Sequence, residues 1–301
     1  MIKLSIVVLS YNTKKLLEQT LRSIPENDKW EVIVVDNGSD DGSFEMLKSK
    51  YKKVKTIRNS KNLGFAGGNN VGIKASQGKY VMLLNSDTKI INDSIEKMVG
   101  YLEKNKEVGA VGPKLMLPDG AIDLACHRSF PTPWNALSYF LKLEQTMPNS
   151  KTFGGYHRTW EDFNESHDVE VISAGAMMVR REVIDEVGLL DEQFFLYGED
   201  IDWCKRIYDA GWRIVYLPES VIIHFKSQSG KSKSGKKAKE TKNISRYHFF
   251  NTMKQYYEKH YPNQPKWFKS FVKLGVDVFS GGISRKKIEE QRNKLRGKIV
   301  E

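Results

Sequence analysis

Carboxylates and other polar side chains follow several apolar runs of the chain, at points where buried strands would end. One run ends in Asn85, Ser86 and Asp87, and another ends in Asp36 and Asn37. Burying an unpaired carboxylate is costly, so such side chains belong at strand ends that face a cleft or water. One carboxylate in this position can bind a hard divalent cation that also takes phosphate oxygens, and another can act as a general base.

A third acidic group, formed by Glu199, Asp200 and Asp202, opens a predicted helix far downstream. Each group alone has an ordinary structural explanation. Asp36 and Asp87 can cap loops, and acidic residues are favourable at a helix N-terminus. Their occurrence together favours a catalytic cleft. Arg206 lies later in the same helix, and we expect it to pair with Asp202 rather than to face the cleft.

Strands and helices alternate over about the first third of the chain. Apolar runs predict strands that are buried on both faces, and the segments between them have helical spacing. This alternation predicts right-handed crossovers and an α/β fold with a mostly parallel sheet, in which ligands bind beyond the carboxyl ends of the strands. Residues 118–168 interrupt the pattern with aromatic, proline-containing loops. The predicted strands are 4–12, 31–36, 54–59 and 80–87.

Two common phosphate-binding motifs do not fit the chain. The first strand is followed by SYNTKKL, which lacks the glycines of a dinucleotide-binding turn. The sequence SGKS at 229–232 ends like a P-loop, but Phe225 stands where the first glycine belongs and no apolar strand precedes it. Local sequence therefore argues against NAD-type and P-loop ATP-type sites.

The charge of the chain is concentrated near its end. The 301 residues have a formal net charge of +11, of which residues 226–301 carry +14 and the preceding residues −3. No run of apolar residues is long enough to cross a membrane, and the first residues have no secretory signal. The two cysteines, Cys126 and Cys204, lack metal-ligand spacing and fit a reducing cytoplasm.

Five motifs in this order resemble those of family 2 glycosyltransferases, and the resemblance spans about residues 3–230. They read SIVVLSYN, EVIVVDNGSDDGS, NLGFAGGNNVGIKASQGKYVMLLNSDT, GAMMVRREVIDEVGLLDEQFFLYGEDIDWCKR and VIIHFKSQS. The members most similar to this chain are rhamnosyltransferase-like enzymes that build bacterial cell-wall or surface polysaccharides. The resemblance implies a GT-A fold, a Rossmann-like sheet flanked by helices, and inverting transfer from a nucleotide-sugar.

The resemblance also implies roles for particular residues. Asp200 corresponds to the catalytic base, and Glu199 supports the base or the acceptor. Asn85-Ser86-Asp87 stands in place of the D-x-D metal motif, so that Asp87 carries most of the coordination of Mg²⁺ or Mn²⁺. His224 is a further metal ligand, or else a hydrogen-bonded histidine at a strand end. The expected donor-binding residues are Ser10, Tyr11, Asn12, Asp36, Asn37, Gly64, Gly67, Asn85, Ser86 and Asp87.

The basic end of the chain predicts a separate element. We expect a catalytic domain over 1–225, followed by a low-complexity, mobile linker over 226–243 and a helical extension. Residues 247–298 combine an aromatic and apolar stripe with lysines, which is typical of a helix lying on an anionic membrane. Packing of this helix on the catalytic domain is the alternative. The stripe comprises Trp267, Phe268, Phe271, Val272, Val276 and Phe279.

The leading interpretation is a cytoplasmic enzyme at the inner face of the cell membrane, without a nucleic-acid partner. It transfers rhamnose from dTDP-rhamnose to a glycan acceptor, which the resemblance suggests is lipid-linked. The alternatives are a transferase that uses a UDP-hexose and, in a different class, an inactive transferase-like module that binds nucleic acid through its basic end. The sequence leaves the oligomeric state open.

Overall fold

The computed structural model describes residues 2–225, residues 236–265, and residues 267, 269, 270 and 274; over 236–247 it describes the backbone alone. Helices pack around one central sheet. Nine strands of the described residues join this sheet, in the order β3-β2-β1-β4-β8-β6-β9-β5, with β7 added on β9. The predicted α/β class is therefore confirmed.

The first half of the fold is an alternation of strands and helices, as expected. Its strands are continuous apolar runs and are almost fully buried in the case of β1 and β4. The parallel neighbours of β1 are β2 on one side and β4 on the other. The elements are β1 Leu4–Ser10, α1 Lys14–Ser23, β2 Trp30–Asp36, α2 Ser43–Lys50, β3 Lys55–Arg58, α3 Gly64–Ala75 and β4 Tyr80–Asn85.

The second half is less regular, and its strands are joined by longer segments. A short 3₁₀ turn at Leu124–Cys126 and two helices interrupt the region that was expected to form loops. The elements are β5 Thr88–Ile90, α4 Ser94–Lys104, β6 Val108–Met116, α5 Pro133–Phe140, α6 Leu143–Thr146, β7 His167–Asp168, β8 Ala176–Arg180, α7 Arg181–Val187, α8 Glu199–Asp209, β9 Arg213–His224 and α9 Lys236–His260.

The sheet is more mixed than the sequence suggested. β8 lies antiparallel between β4 and β6, and β5 and β7 are antiparallel to β9. The expected parallel arrangement holds for β3, β2, β1 and β4, and again for β6 beside β9. The difference arises because the chain enters β8 from an irregular segment rather than from a crossover helix, so that no right-handed βαβ unit fixes the direction of this strand.

The helix α9 packs on the catalytic body. Tyr256 and Tyr257 are 1% and 8% exposed, and the hydroxyl of Tyr257 donates a hydrogen bond to the carbonyl of Pro131. Near its end, Lys259 and His260 each lie 2.7 Å from the same carboxylate oxygen of Asp202 in α8. These contacts favour the alternative in which this part of the extension belongs to the core.

Asp202 also pairs with Arg206, as expected, with 3.0 Å between Nε and Oδ2. Burial alone would raise the pKa of Asp202, but hydrogen bonds from His260 and Lys259 and the charge of Arg206 outweigh it and lower the pKa to about 2. The fully buried carboxylate is thus kept charged, and its contacts with Lys259 and His260 tie α9 to α8.

The structure describes the first helix of the predicted extension but little of the residues after it. The helix α9 begins at Lys236, so the second part of the predicted linker is helical; its residues KKAKETK are good helix formers. Residues 226–235 and the predicted stripe other than Trp267 lie outside the described residues. Trp267 is 71% exposed and Leu274 is 61% exposed. Within the described part of the chain, no helix is long and apolar enough to span a membrane.

Candidate active site

The ends of β1, β2 and β4 lie side by side at one edge of the sheet. Ser10 is paired with Asp36 in the strand register, and Leu9 is paired with Asn85. The side chains that follow these strands are therefore neighbours, although they come from three separate parts of the sequence. The rim predicted from the strand ends is present.

Hydroxyl groups connect two of these strand ends. Ser10 Oγ lies 2.9 Å from Thr13 Oγ1, which in turn lies 2.8 Å from Ser86 Oγ. All three side chains are buried. Hydroxyls can both donate and accept, so these three side chains satisfy one another's hydrogen bonds without a charged group. The bonds hold Ser86 beside β1, whereas the side chain of the next residue, Asp87, takes no part in them.

Asp36 closes β2 with a fully buried carboxylate. Its Oδ1 accepts a hydrogen bond from the backbone of Ser39 at 3.2 Å, and its Oδ2 lies 3.4 Å from Arg58 Nε. Burial raises the pKa of Asp36, since loss of water outweighs the stabilisation by Ser39 and Arg58. Oδ2 accepts no hydrogen bond from any described residue, which makes it an acceptor for a ligand.

The loop after β1 faces the same region. Asn12 adopts a left-handed backbone, with φ of 55°, and its N–H donates to Ser39 Oγ at 3.0 Å. Asn12 Oδ1 accepts from the backbone of Asp40 at 2.9 Å. These bonds join the loops after β1 and β2. Tyr11 is 37% exposed beside them and offers an aromatic surface at the rim.

Three other predicted donor-binding residues have clear packing roles. Asn37 donates to the carbonyl of Gly64 at 3.0 Å and accepts from the backbone of Leu63 at 3.1 Å, which holds the start of α3. Gly64 has φ of +82°, and a Cβ there would lie 2.5 Å from the carbonyl of Phe195. A Cβ on Gly67 would lie 3.0 Å from the side chain of Leu63. Close packing of α3 explains both glycines, and their contact with a donor stays a prediction.

A histidine between two carboxylates forms the centre of the rim. Thr88 in β5 is paired with His224 in β9, and this pairing brings the imidazole to the preceding residue, Asp87. His224 Nε2 lies 3.5 Å from Asp87 Oδ1, and Nδ1 lies 3.1 Å from Asp123 Oδ2. Burial would lower the pKa of His224, but the hydrogen bonds and charges of Asp123 and Asp87 outweigh it and raise the pKa to about 9.

One side of this cluster offers ligands for a divalent cation. Asp87 supplies a carboxylate oxygen and His224 Nε2, which faces it, supplies an imidazole nitrogen, whereas Asp123 contacts the opposite ring nitrogen and orients the imidazole. Carboxylates suit Mg²⁺ and Mn²⁺, while the nitrogen is more usual for Mn²⁺ and later metals. All three side chains are buried, so a cation that displaced the imidazole proton would be only partly hydrated. The sequence singled out Asp87 and His224, which the structure brings together, but not Asp123, which lies in the region without periodicity.

The acidic pair at the start of α8 has two different environments. Asp200 Oδ2 accepts a hydrogen bond from Arg128 Nη2 at 2.5 Å, and Oδ1 accepts from the backbone of Ile201 at 2.8 Å. Arg128 also donates to the hydroxyl of Tyr156 at 3.4 Å. Asp200 is therefore oriented by two donors, one of which is a guanidinium. The side chains of Asp200 and Arg128 are 13% and 10% exposed, so each can still be reached by a small group.

Glu199 makes no ion pair with a described residue, and the nearby charge of Arg128 only partly offsets its burial. Burial raises the pKa of Glu199, and the negative charge of Asp200 raises it further. Its Oε2 has no hydrogen-bond partner among the described residues. The neutral, protonated form is thus favoured over a wide range of pH. Glu199 is then a hydrogen-bond donor beside Asp200, which accepts hydrogen bonds.

Arg128 was not found from the sequence. It lies in the proline-containing region and is separated from Asp200 by 72 positions. The signal that was available is the sequence HRSFP, a basic residue inside an otherwise apolar and aromatic stretch. A basic residue in such surroundings requires a buried partner.

Comparison with known proteins identifies the family of the chain and supports its fold. Residues 5–188 match the family described as Glycosyl transferase family 2, and the chain belongs to this family. The N-acetylglucosaminyl-diphospho-decaprenol L-rhamnosyltransferase of Mycobacterium tuberculosis is 26% identical over 254 residues, which cover 75% of this chain and 77% of that protein. The putative teichuronic acid biosynthesis glycosyltransferase TuaG of Bacillus subtilis is 31% identical over 122 residues, covering 38% of this chain and 48% of that protein.

Solved structures of glycosyltransferases share the fold. GalNAc-T7, crystallised with UDP, GalNAc and Mn²⁺, superposes with a TM-score of 0.61 at 16% identity. The comparison covers 99% of this chain and 54% of that one, so this chain spans about half the length of GalNAc-T7. The S. aureus TarS fragment 1-349 with UDP-GlcNAc has a TM-score of 0.57 at 17% identity, with 99% and 81% of the two chains covered. The predicted GT-A fold is confirmed.

The raised pKa of Glu199 predicts that Glu199→Gln changes the pH dependence of stability. A raised carboxyl pKa stabilises the folded protein fully below the ordinary value of 4.5, and this contribution is lost as the pH rises through the folded value. Glutamine cannot ionise, so the variant should gain stability relative to the wild type above pH 4.5. The slope is at most about 1.4 kcal/mol per pH unit. Urea unfolding between pH 5 and 8 measures it.

Glu96→Gln is the control, because Glu96 is exposed and also lies in the first turn of a helix. This variant measures how much stability changes when a carboxylate near a helix N-terminus is lost without any change in burial. If Glu199→Gln and the wild type differ by the same free energy at every pH, the raised pKa of Glu199 is disproved.

Proposed function

We propose that the chain is an inverting glycosyltransferase that moves a sugar from a nucleotide-sugar to a hydroxyl of a growing glycan. The observation that carries this proposal is the rim at which Asp36 and Asp87 follow neighbouring strand ends, with His224 facing Asp87. Family membership supports the reaction class. The buried acidic pair Glu199 and Asp200 supports base catalysis.

The donor nucleotide binds at the ends of β1 and β2. Asp36 Oδ2, which lies beside Arg58 and accepts no hydrogen bond from a described residue, takes one from the base or the ribose. Tyr11 gives an exposed ring against which a base can pack, and Asn12 shapes the loop around it. Ser10 acts indirectly, because its hydroxyl is occupied by Thr13.

Asp87 and His224 Nε2 would hold the divalent cation, Mg²⁺ or Mn²⁺, and Asp123 would orient the imidazole from its other nitrogen. Such a cation would stabilise the negative charge that collects on the departing diphosphate. Asn85 and Ser86 position Asp87 through the end of β4 and the hydroxyl chain to β1.

Asp200 takes the proton of the acceptor hydroxyl. The hydroxyl oxygen forms a bond to the anomeric carbon, the bond from this carbon to the diphosphate breaks on the opposite face, and the proton passes to a carboxylate oxygen of Asp200. A positioned base of this kind contributes about 10²–10⁴-fold to the rate. Arg128 orients Asp200, while protonated Glu199 donates a hydrogen bond to the acceptor.

Rhamnose from dTDP-rhamnose is the proposed sugar, and a lipid-linked cell-wall or surface polysaccharide is the proposed acceptor. The similarity to the mycobacterial rhamnosyltransferase supports both. The TarS fragment with UDP-GlcNAc shares the fold, which keeps a UDP-hexose as the second candidate donor. Hydrolysis of a panel of dTDP-, UDP- and GDP-sugars distinguishes them, and an enzyme that hydrolyses UDP-sugars but not dTDP-rhamnose contradicts the first choice.

The end of the chain attaches the enzyme to the inner, anionic face of the membrane. The helix α9 uses its tyrosines to pack on the catalytic body, so the proposed membrane contact begins after it. Trp267 and Leu274 are seven positions apart in sequence and are both strongly exposed. Residues seven apart share one face of a helix, and lysines accompany them in the sequence.

Asp200→Asn should reduce turnover by at least ~10²-fold while donor affinity changes little, because a general base acts mainly in the transition state. Transfer kinetics and donor calorimetry measure the two quantities. Asp209→Asn is the matched control, since Asp209 lies in the same helix with a side chain that is 51% exposed. Near wild-type turnover of Asp200→Asn would show that Asp200 is not the base.

Asp87→Ala should weaken donor binding and remove most of its dependence on Mg²⁺ or Mn²⁺, because the variant loses a charged metal ligand. Calorimetric titration of the donor, with and without cation, measures this effect. Asp93→Ala removes an acidic side chain that is 60% exposed and should behave like the wild type. Equal, metal-dependent donor affinity in Asp87→Ala and the wild type rules out Asp87 as a ligand.

A chain that ends after Gln264 should lose binding to anionic vesicles and keep donor binding. Each basic residue near such a surface contributes about 1 kcal/mol, and less as the salt concentration rises. This truncation leaves α9 in place, whereas an end at Phe225 would remove the buried Tyr256 and Tyr257. Co-sedimentation with anionic and neutral vesicles at low and high salt measures binding. Negligible binding by both proteins contradicts the membrane proposal.

A further inference from the structure

A second cluster of possible metal ligands lies apart from the residues assigned to the donor, the cation and the base. His127, Glu161 and His167 each direct one ligand atom into a common space, and these three atoms lie within 4.8 Å of one another. The nearest pair is His167 Nε2 and Glu161 Oε2, at 2.9 Å. Among the described residues, this is the group of three or more histidine, cysteine and acidic side chains whose geometry suits a metal ion.

His127 is the innermost member of the cluster. Its side chain is fully buried, and neither ring nitrogen has a hydrogen-bond partner among the described residues. Its ring packs on Phe163 and Tyr216, at centroid distances of 4.2 and 4.9 Å. Burying an imidazole without any partner is costly, because the nitrogens lose their hydrogen bonds to water. Aromatic packing alone leaves this cost uncompensated, whereas a metal ion would take one of the two lone pairs.

The hydrogen bonds of His167 define which of its nitrogens is free. Its Nδ1 lies 2.9 Å from the carbonyl oxygen of Glu165, and a carbonyl can only accept. The proton is therefore assigned to Nδ1 from the network, which leaves the lone pair of Nε2 facing Glu161. Metal-bound histidines in proteins have this same outer hydrogen bond to a carbonyl or a carboxylate.

Glu161 also pairs with Arg158. Arg158 forms two hydrogen bonds with it, of which the one from Nε to Oε2 measures 2.9 Å. The guanidinium neutralises the carboxylate but does not reach the unpartnered nitrogens of His127. Carboxylate oxygens carry several lone pairs, so Glu161 can bind an ion and retain Arg158. The ordinary structural interpretation, an Arg–Glu pair beside stacked aromatic rings, explains Glu161 but not His127.

We propose that His127, Glu161 and His167 form a second metal site, for a zinc-type transition ion rather than for the donor cation. Two imidazole nitrogens and one carboxylate oxygen match the ligands that Zn²⁺ takes in proteins, and they differ from the oxygen-rich sites of Mg²⁺. Glu161 and His167 are each 20% exposed, which gives the ion a route from solvent to the buried His127.

The position of this site indicates a structural role. His167 lies in β7, which pairs with β9 at the sheet. His127 and Glu161 lie outside the strands and helices, in the long connection between β6 and β7. An ion bound to all three would link this segment to the edge of the sheet. The link would begin at the residue next to Arg128, whose guanidinium holds Asp200.

Titration of the full-length, metal-free protein with Zn²⁺ tests the proposal. Calorimetry gives stoichiometry and affinity, and Co²⁺ in place of Zn²⁺ gives visible absorption bands that report nitrogen and oxygen coordination. Both are measured in the Asp87→Ala background, so that the donor cation site does not contribute. We expect one ion per chain and a higher melting temperature when it is bound.

Single substitutions identify the ligands. His127→Phe keeps an aromatic ring in the buried position, and His167→Gln changes a partly exposed one. Each should weaken Zn²⁺ binding by more than the ~10–100-fold that is typical of losing an outer-shell partner. His157→Gln is the matched control, because His157 pairs with Glu144 at 2.9 Å outside this cluster, and it should bind Zn²⁺ like its parent.

Three results would overturn the proposal. The first is the absence of stoichiometric binding in the Asp87→Ala background. The second is wild-type affinity in His167→Gln, which decides the matter even if His127→Phe does not fold. The third is an equal loss of affinity in His157→Gln. Circular dichroism of each variant confirms that the comparison is made between folded proteins.

Discussion

Buried carboxylates need partners, and this constraint determines how the distant parts of the chain meet at the site. Removing a carboxylate from water costs several kcal/mol, which only well-placed cations and donors offset. Asp87 faces His224, and Asp200 faces Arg128. Asp202 faces both Lys259 and His260. Each partner comes from a part of the chain other than the one that carries the carboxylate. The contacts that offset the cost of burying the carboxylates therefore also hold separate parts of the fold together.

Glu199 is the informative exception to this rule. It follows Gly198, whose left-handed backbone lets the chain turn sharply into α8, and it enters the protein without a cation of its own. Its neighbour Asp200 instead accepts hydrogen bonds from Arg128 and from the backbone of Ile201, so two adjacent carboxyl groups occupy different environments. A carboxyl pKa raised by burial beside a second acid is typical of acid–base sites. Protonated Glu199 can donate a hydrogen bond, and Asp200 accepts hydrogen bonds.

The sequence predicted well what depends on local pattern. Apolar runs located the four strands of the parallel half, and the polar residues that follow them lie at one edge, because parallel strands share a direction. The antiparallel insertion of β8 was not predictable, since a strand of five residues gives the same pattern in either direction. The helix α5 was missed, although Thr132 before Pro133 is a recognised start signal, and Thr132 does accept the capping hydrogen bond from Asn135.

Side chains that act through long-range pairs were the hardest to predict. Asp123, His127 and Arg128 lie within one short, irregular segment, and each has its partner far away in the sequence. No periodicity marks such residues, because the contacts that hold the segment are polar and aromatic rather than those of a regular element. The strand-end residues of the site are therefore positioned by a regular sheet, whereas Asp123, His127 and Arg128 are positioned by individual long-range contacts.

The strand ends of the proposed donor side follow from backbone register, which many sequences can satisfy. The proposed acceptor side depends on individual pairs, such as Arg128 with Asp200. Replacing one partner of such a pair leaves the other side chain largely buried and unpaired, which is destabilising because it has lost its contact with water. Substitutions in the segment around Arg128 should accordingly affect the orientation of Asp200 while leaving the parallel strands intact. In this fold, the sheet supplies a stable edge, and the irregular segment determines how the chemistry at that edge is oriented.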